Sequence, residues 1–217
     1  MQLNLARLAY PVTALGPGRR LVLWTAGCLL RCQNCITPEL LSPTSGQTIA
    51  VDRLAQHLLR LPLALDGITL SGGEPFLQAP ALAHLCQILR HARPHWTVLA
   101  FSGYPLAYLQ QHPANSGLLA QVDGLVAGPY QPQQAQAHPL LASRNQQLHY
   151  LSLRGQTELK PAIAALPLQQ ANLGFHAQAG HSPSAPASPA PLLIGILSPE
   201  TRQHLHQQLH RVHTVWG

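Results

Sequence analysis

The chain has 217 residues, 46% of them hydrophobic and only 9% charged, which suits one domain with a substantial core. Its formal charge of +6 comes almost wholly from scattered arginines, without a basic block interleaved with aromatics, and this argues against nucleic acid as a main partner. No apolar run approaches membrane-spanning length and the N-terminus lacks the apolar core of a signal peptide, so the expected compartment is the cytoplasm, where thiols stay reduced.

Leu3-Asn4-Leu5-Ala6-Arg7-Leu8 alternates apolar and polar positions, as a half-exposed strand does. Gly16-Pro17-Gly18 then turns the chain into a core strand, Leu21-Val22-Leu23-Trp24, which runs into Gly27-Cys28-Leu29-Leu30-Arg31-Cys32-Gln33-Asn34-Cys35. Three thiols so close together are soft ligands for an iron-sulfur cluster, zinc or copper(I), gathered by a short loop closure. A cubane cluster has four irons, so three cysteines would leave one iron without a protein ligand and open to chemistry. Structural zinc usually needs four ligands, and no second C-x2-C pair is present. Disulfides fit worse, since three clustered cysteines leave one unpaired.

Asp52 is placed to cap a helix running through Arg60, with Leu54, Leu58 and Leu61 at helical spacing. Gly67-Ile68-Thr69-Leu70 reads as a strand that runs straight into Ser71-Gly72-Gly73-Glu74-Pro75, where glycines would let backbone groups approach a ligand. The helix expected over residues 80–90 buries Leu82, Leu85 and Leu89 with Cys86 on the same side, so Cys86 reads as a small core residue. Were it a fourth ligand, the metal site would be closed. Thr97-Val98-Leu99-Ala100-Phe101 and Gly124-Leu125-Val126-Ala127 are further strands, each ending in a glycine-containing turn. Strands alternating with helical stretches predict parallel βα units with the site at the strands' C-terminal ends, in a chain too short for eight units and therefore an open, partial barrel.

Residues 166–191 include a Pro/Ala/Ser-rich run that reads as a flexible linker. Residues 192–197 suit a strand, and Ser198-Pro199-Glu200 starts a C-terminal helix striped by Leu205, Leu209 and Val212. His204, His206, His210 and His213 on that helix read as a solvated polar face. The expected division is residues 1–165 for the barrel domain, 166–191 for the linker and 192–217 for the terminal strand and helix.

The C-x3-C-x2-C loop resembles the cluster motif of the radical S-adenosylmethionine (SAM) enzymes. The resemblance implies a 4Fe-4S cluster on Cys28, Cys32 and Cys35, with SAM chelating the fourth iron and cleaved by one electron to a 5'-deoxyadenosyl radical. It also implies an α/β fold, an open partial (βα) barrel of the radical SAM type. Ser71, Gly72, Gly73 and Glu74 match the segment that receives the methionyl group. Within this superfamily, Gly16-Pro17-Gly18-Arg19, Ile36-Thr37-Pro38-Glu39, Phe101-Ser102-Gly103-Tyr104, the stretch from Val122 through Asp123 to Tyr130, and Ser143-Arg144-Asn145-Gln146 resemble the activating enzymes of glycyl radical enzymes. Ser102, Asp123 and Asn145 then join the expected SAM-orienting residues, as does Asn34, at a position where many members place an aromatic against adenine. Arg144 departs from the group, which has a small residue there.

The resemblance, which covers roughly residues 10–155, implies an oxidoreductase that abstracts hydrogen from a glycine of a partner glycyl radical enzyme, and anaerobic ribonucleotide reductase fits best. A reducing donor such as flavodoxin or ferredoxin would supply the electron. Two other readings stay open on the residues alone. One is a radical SAM enzyme acting on a small molecule, like the 7-carboxy-7-deazaguanine synthases; the other is a non-catalytic iron-sulfur or zinc protein.

Overall fold

The computed structural model describes residues 1–61 and 64–168, together with the backbone of three short strands at 171–175, 191–195 and 215–216. Seven strands form one sheet: β1 (Gln2–Val12), β2 (Arg20–Thr25), β3 (Gln47–Ala50), β4 (Gly67–Gly72), β5 (Thr97–Ser102), β6 (Gly124–Ala127) and β7 (Gln147–Tyr150), in the order β3-β1-β2-β4-β5-β6-β7. The helices are α1 (Val51–Leu59), α2 (Ala79–Ala92), α3 (Leu106–Gln111), α4 (Ser116–Leu119) and α5 (Lys160–Ala164). Among the described residues no helix is long and apolar enough to cross a membrane.

The middle of the sheet is parallel, as expected: β2, β4, β5 and β6 all run the same way. The expectation of parallel units throughout does not hold at the margins. β1 is antiparallel to β2 and β3, and β7 is antiparallel to β6. Each exception follows from its connection. β1 turns into β2 through Gly16-Pro17-Gly18, and β7 returns from β6 by a loop with no crossover helix, whereas a parallel neighbour needs a crossover.

Alternation along the strands decides which face each residue serves. Leu21, Leu23, Ile68, Leu70, Val98, Ala100 and Leu125 point to one face, packing with Leu54 and Leu58 of α1 and Leu82, Leu85 and Leu89 of α2. Val22 and Trp24 point to the other, against Leu15 and Leu40, while Leu99 and Val126 meet Leu140, Leu159 and Ile163. Both faces are therefore covered, which is why β2 and β6 are apolar-rich runs buried at every position. Asp52 does not cap α1. Ala50 occupies the N-cap, and Asp52, in the first turn, accepts a 3.0 Å hydrogen bond from His84 Nε2 on α2.

Arg20 anchors the N-terminal end of the parallel strands from the face opposite α1 and α2. It is fully buried, and its five N–H groups all have acceptors: Thr69 Oγ1 at 2.6 Å, Pro17 O at 3.2 Å, Thr97 Oγ1 and Thr97 O at 3.0 Å each, and Ile68 O. Burial draws its pKa down to about 10, with Asp123 and Asp66 opposing, so it stays charged at neutral pH.

Beyond the sheet, β8 (Ala171–Phe175) pairs antiparallel with β9 (Pro191–Gly195), which pairs parallel with β10 (Val215–Trp216). β8 falls inside the stretch expected as linker, where Ala171, Leu173 and Phe175 alternate with Asn172 and Gly174 in a strand pattern. β9 begins one residue before the expected strand. Residues 169–170 and 176–190 of the expected linker, and the expected C-terminal helix with its four histidines, lie outside the described residues.

Candidate functional site

Successive parallel strands deliver their C-terminal loops to one end of the sheet, and that is where the cysteines are. The loop after β2 is held by Gly27 N donating to Leu40 O at 2.9 Å and Cys28 N to Leu41 O at 3.0 Å. A turn closed by Cys35 N on Cys32 O at 3.2 Å brings the last two cysteines near each other along the chain. Two non-glycine residues adopt left-handed backbone conformations here, Arg31 at φ 49° and Asn34 at φ 55°. Cys28, Cys32 and Cys35 are unpaired and half-buried. Burial pushes the Cys28 thiol up. Among the described residues no three Cys, His, Asp or Glu side chains converge closely enough to hold an ion.

The loop after β4 is bonded directly to the cysteine loop. Gly73 N donates to Thr25 O and Glu74 N to Gly27 O, both at 2.8 Å. The glycines permit this contact: a Cβ on Gly73 would stand 2.2 Å from Gly27 O, and Gly72 has φ 111°. The close approach expected for a ligand is thus partly used by a neighbouring loop. Glu74, 1% exposed, turns its carboxylate toward the end of β5. Oε1 accepts from Phe76 N at 3.0 Å and Ser102 Oγ at 2.9 Å, and Oε2 accepts from Gly103 N at 2.9 Å. Burial pushes this carboxyl up to about 7, against the pull of those three donors.

The ends of β5 and β6 complete the cluster of loops. Gly128 N donates to Ser102 O at 3.0 Å and to Tyr104 O at 3.2 Å. Asn145 Nδ2 donates to Pro129 O at 2.7 Å, while its Oδ1 is buried without a hydrogen-bond partner. Gln133 Nε2 reaches back to Gln33 Oε1 at 3.3 Å, joining this loop to the cysteine loop.

Of the sequence-predicted residues, Ser71, Gly72, Gly73, Glu74, Ser102 and Asn145 all lie in loops or strand ends at this edge, beside the three cysteines. Asn34 is exposed within the cysteine loop. Asp123 is not brought there. It precedes β6 and accepts from Val98 N, near the start of β5, at 2.8 Å, and from Ser152 Oγ at 2.6 Å, with Arg90 3.5 Å away. These bonds place it at the opposite end of the sheet from the cysteine loop.

Two residues were not anticipated. Thr37, buried just after Cys35, donates from Oγ1 to Gly72 O at 3.3 Å and lies 3.9 Å from Cys35 Sγ. Its sequence signals are a hydroxyl two residues from a thiol and its place in the Ile36-Thr37-Pro38-Glu39 segment. His138 Nδ1 accepts from both Leu140 N and Leu141 N at 3.0 Å, which requires the Nε2–H tautomer. Burial lowers its pKa below the usual histidine value. A folded-state pKa below the unfolded one means that the unfolded chain takes the proton first. The contribution is therefore complete above the unfolded pKa of about 6.5 and is lost as pH falls through the lower folded value. Protection of the Leu140 and Leu141 amides, measured against their intrinsic exchange rates, should fall over that acid range, and His138→Gln should weaken the pH dependence.

The donor chemistry fits a cluster and its ligand: three free thiols on one loop, and an orphaned buried acceptor on a neighbouring loop. Residues 14–149 match the family model described as a 4Fe-4S single cluster domain. The chain belongs to that family, within the glycyl radical enzyme activating group of the radical SAM superfamily. It is 31% identical over 153 residues to the anaerobic ribonucleoside-triphosphate reductase-activating protein of Vibrio cholerae, an alignment covering 66% of this chain and 96% of that protein. It is 38% identical over 88 residues to the pyruvate formate-lyase-activating enzyme of Staphylococcus aureus, covering 38% of this chain and 35% of that one. The protein is thus an oxidoreductase of the radical SAM activating type, and its cofactors are a 4Fe-4S cluster and SAM.

Proposed function

We propose that the protein abstracts hydrogen from a glycine Cα of a partner glycyl radical enzyme, with anaerobic ribonucleotide reductase as that partner and a flavodoxin- or ferredoxin-type protein as the electron source. The observation that carries this reading is that Gly73 and Glu74 bond through their backbone N–H groups to Thr25 O and Gly27 O, at the start of the loop that carries the three thiols, at the shared end of parallel strands. Cys28, Cys32 and Cys35 would hold the cluster. When bound, the cluster and SAM supply the one-electron cleavage from which the hydrogen-abstracting radical comes.

The chain's own residues then bind, orient and shield. Backbone groups of Ser71, Gly72 and Gly73 would receive the methionyl group, and the unpartnered Oδ1 of Asn145 would accept from a donor on the bound cofactor. The parallel strands β2, β4, β5 and β6, with α1 and α2 on one face, are taken as an open partial barrel whose loops at the C-terminal strand ends would shelter the site from water. A protein substrate suits the rim: Leu29 is 74% exposed, and Ile36 and Leu77 stand exposed on loops at this same end. The choice of reductase rests on the relative from Vibrio cholerae, whose length the match nearly spans.

The test mixes the reconstituted protein anaerobically with reductant, SAM and a ribonucleoside-triphosphate reductase. Expected is an organic radical on the reductase together with 5'-deoxyadenosine in equal amount. 5'-Deoxyadenosine without a radical on the reductase would direct the search to another partner. Neither product, from protein with a full cluster, would overturn the reading.

A further inference from the structure

The Glu74 side chain ties the loop after β4 to the loop after β5, and its backbone N–H ties the first of these to the cysteine loop through Gly27 O at 2.8 Å. An ionised carboxylate has about four lone-pair directions. Three are filled by Phe76 N, Ser102 Oγ and Gly103 N, all between 2.9 and 3.0 Å, around a group that is 1% exposed. The remaining direction, on Oε2, is buried with the rest of the carboxylate, so engaging the ammonium of a bound ligand would require the side chain to turn out of this pocket and leave two backbone N–H donors without a partner.

The recipients of the bond are themselves fixed by it. Ser102 Oγ donates to Glu74 and accepts from Tyr104 N at 3.1 Å, so its rotamer is held from both sides. Gly103 is wedged between loops: a Cβ there would stand 2.2 Å from Leu30 Cδ1 of the cysteine loop and 3.7 Å from Glu74 Oε2. Shifting the end of β5 would therefore disturb the cysteine loop as well.

We propose that Glu74 is a positioning residue that latches the β4 and β5 strand ends together and sets Ser102 and Gly103 against the SAM site, without itself touching SAM. This rests on the activase reading above. It changes the role expected for Glu74 from ligand contact to geometry.

A double-mutant cycle separates the two roles. Glu74→Gln puts an amide NH2 opposite a backbone N–H donor and breaks the latch from one side; Ser102→Ala breaks it from the other. The readout is SAM affinity, taken from the SAM-dependent change in the electron paramagnetic resonance of the reduced cluster, with iron content and melting curves alongside. Expected are single losses on the order of tenfold and a double variant no weaker than the weaker single, because both changes break the same device. Losses that multiply would overturn the proposal, as would affinities unchanged in both singles.

Where Glu74→Gln does not load its cluster, amide exchange in the native protein decides. Gly103 N–H should stay protected with and without SAM, whereas faster exchange on adding SAM would mean that Glu74 leaves its donors for the cofactor. A native cluster signal indifferent to SAM would overturn the activase reading and the latch with it. A normal native response with a multiplicative cycle sinks the latch alone.

Discussion

Cys28→Ala, Cys32→Ala and Cys35→Ala should each lose the iron-sulfur chromophore after anaerobic reconstitution, while Cys86→Ala keeps it. The contrast follows from where the four thiols lie. Three are half-buried on one loop, in reach of an incoming metal, and their thiolates form readily once iron is present. Cys86 is 0% exposed, packed in α2 against the sheet among Leu82, Leu85 and Leu89. Burial pushes its thiol up to about 12, so at neutral pH it is not a thiolate. The expected reading is nearly complete loss of bound iron for each loop variant and native iron for Cys86→Ala, which gives up only small-residue packing. Loss of the cluster in Cys86→Ala, with normal melting, would mean a closed, four-cysteine site unsuited to binding SAM.

The second large effect is on stability. Arg20→Leu leaves five acceptor interactions without a donor at the buried N-terminal ends of β2, β4 and β5. Removing one partner of a buried ionic or polar network costs about 3–5 kcal/mol, and for a chain of this size that lowers Tm by roughly 6–20 °C. Arg20→Lys retains the charge but has only three donors and no planar fork, so it recovers only part of the loss. Thermal melting of the two variants checks this, and cluster loading at low temperature should be preserved, since Arg20 lies at the end of the strands away from the cysteine loop. A melting point within a few degrees of native for Arg20→Leu would contradict the role given to this network.

The parts of the fold that could be read from sequence were those whose chemistry or periodicity is local. The cysteine loop is three ligands within eight residues, and β2, β4, β5 and β6 are apolar runs, each with a glycine at or just after its C-terminal end. β7, with the sequence Gln-Leu-His-Tyr, escaped notice because an edge strand with partly exposed residues has no strong apolar pattern. The Glu74 latch joins residues 28 positions apart, and the Arg20 network joins residues as far as 77 apart, so neither has a sequence signature. The position of Asp123, away from the other expected residues, is one the sequence did contain. It precedes its strand whereas Ser102 ends one, and in parallel strands those positions lie at opposite ends.

The central claim is that the loops at one end of the parallel strands hold a cluster whose open iron receives SAM. Low-temperature electron paramagnetic resonance of the anaerobically reconstituted, reduced protein, recorded with and without SAM, tests it most directly. A reduced 4Fe-4S signal that changes shape when SAM is added is the predicted result; a full cluster whose signal ignores saturating SAM would contradict it.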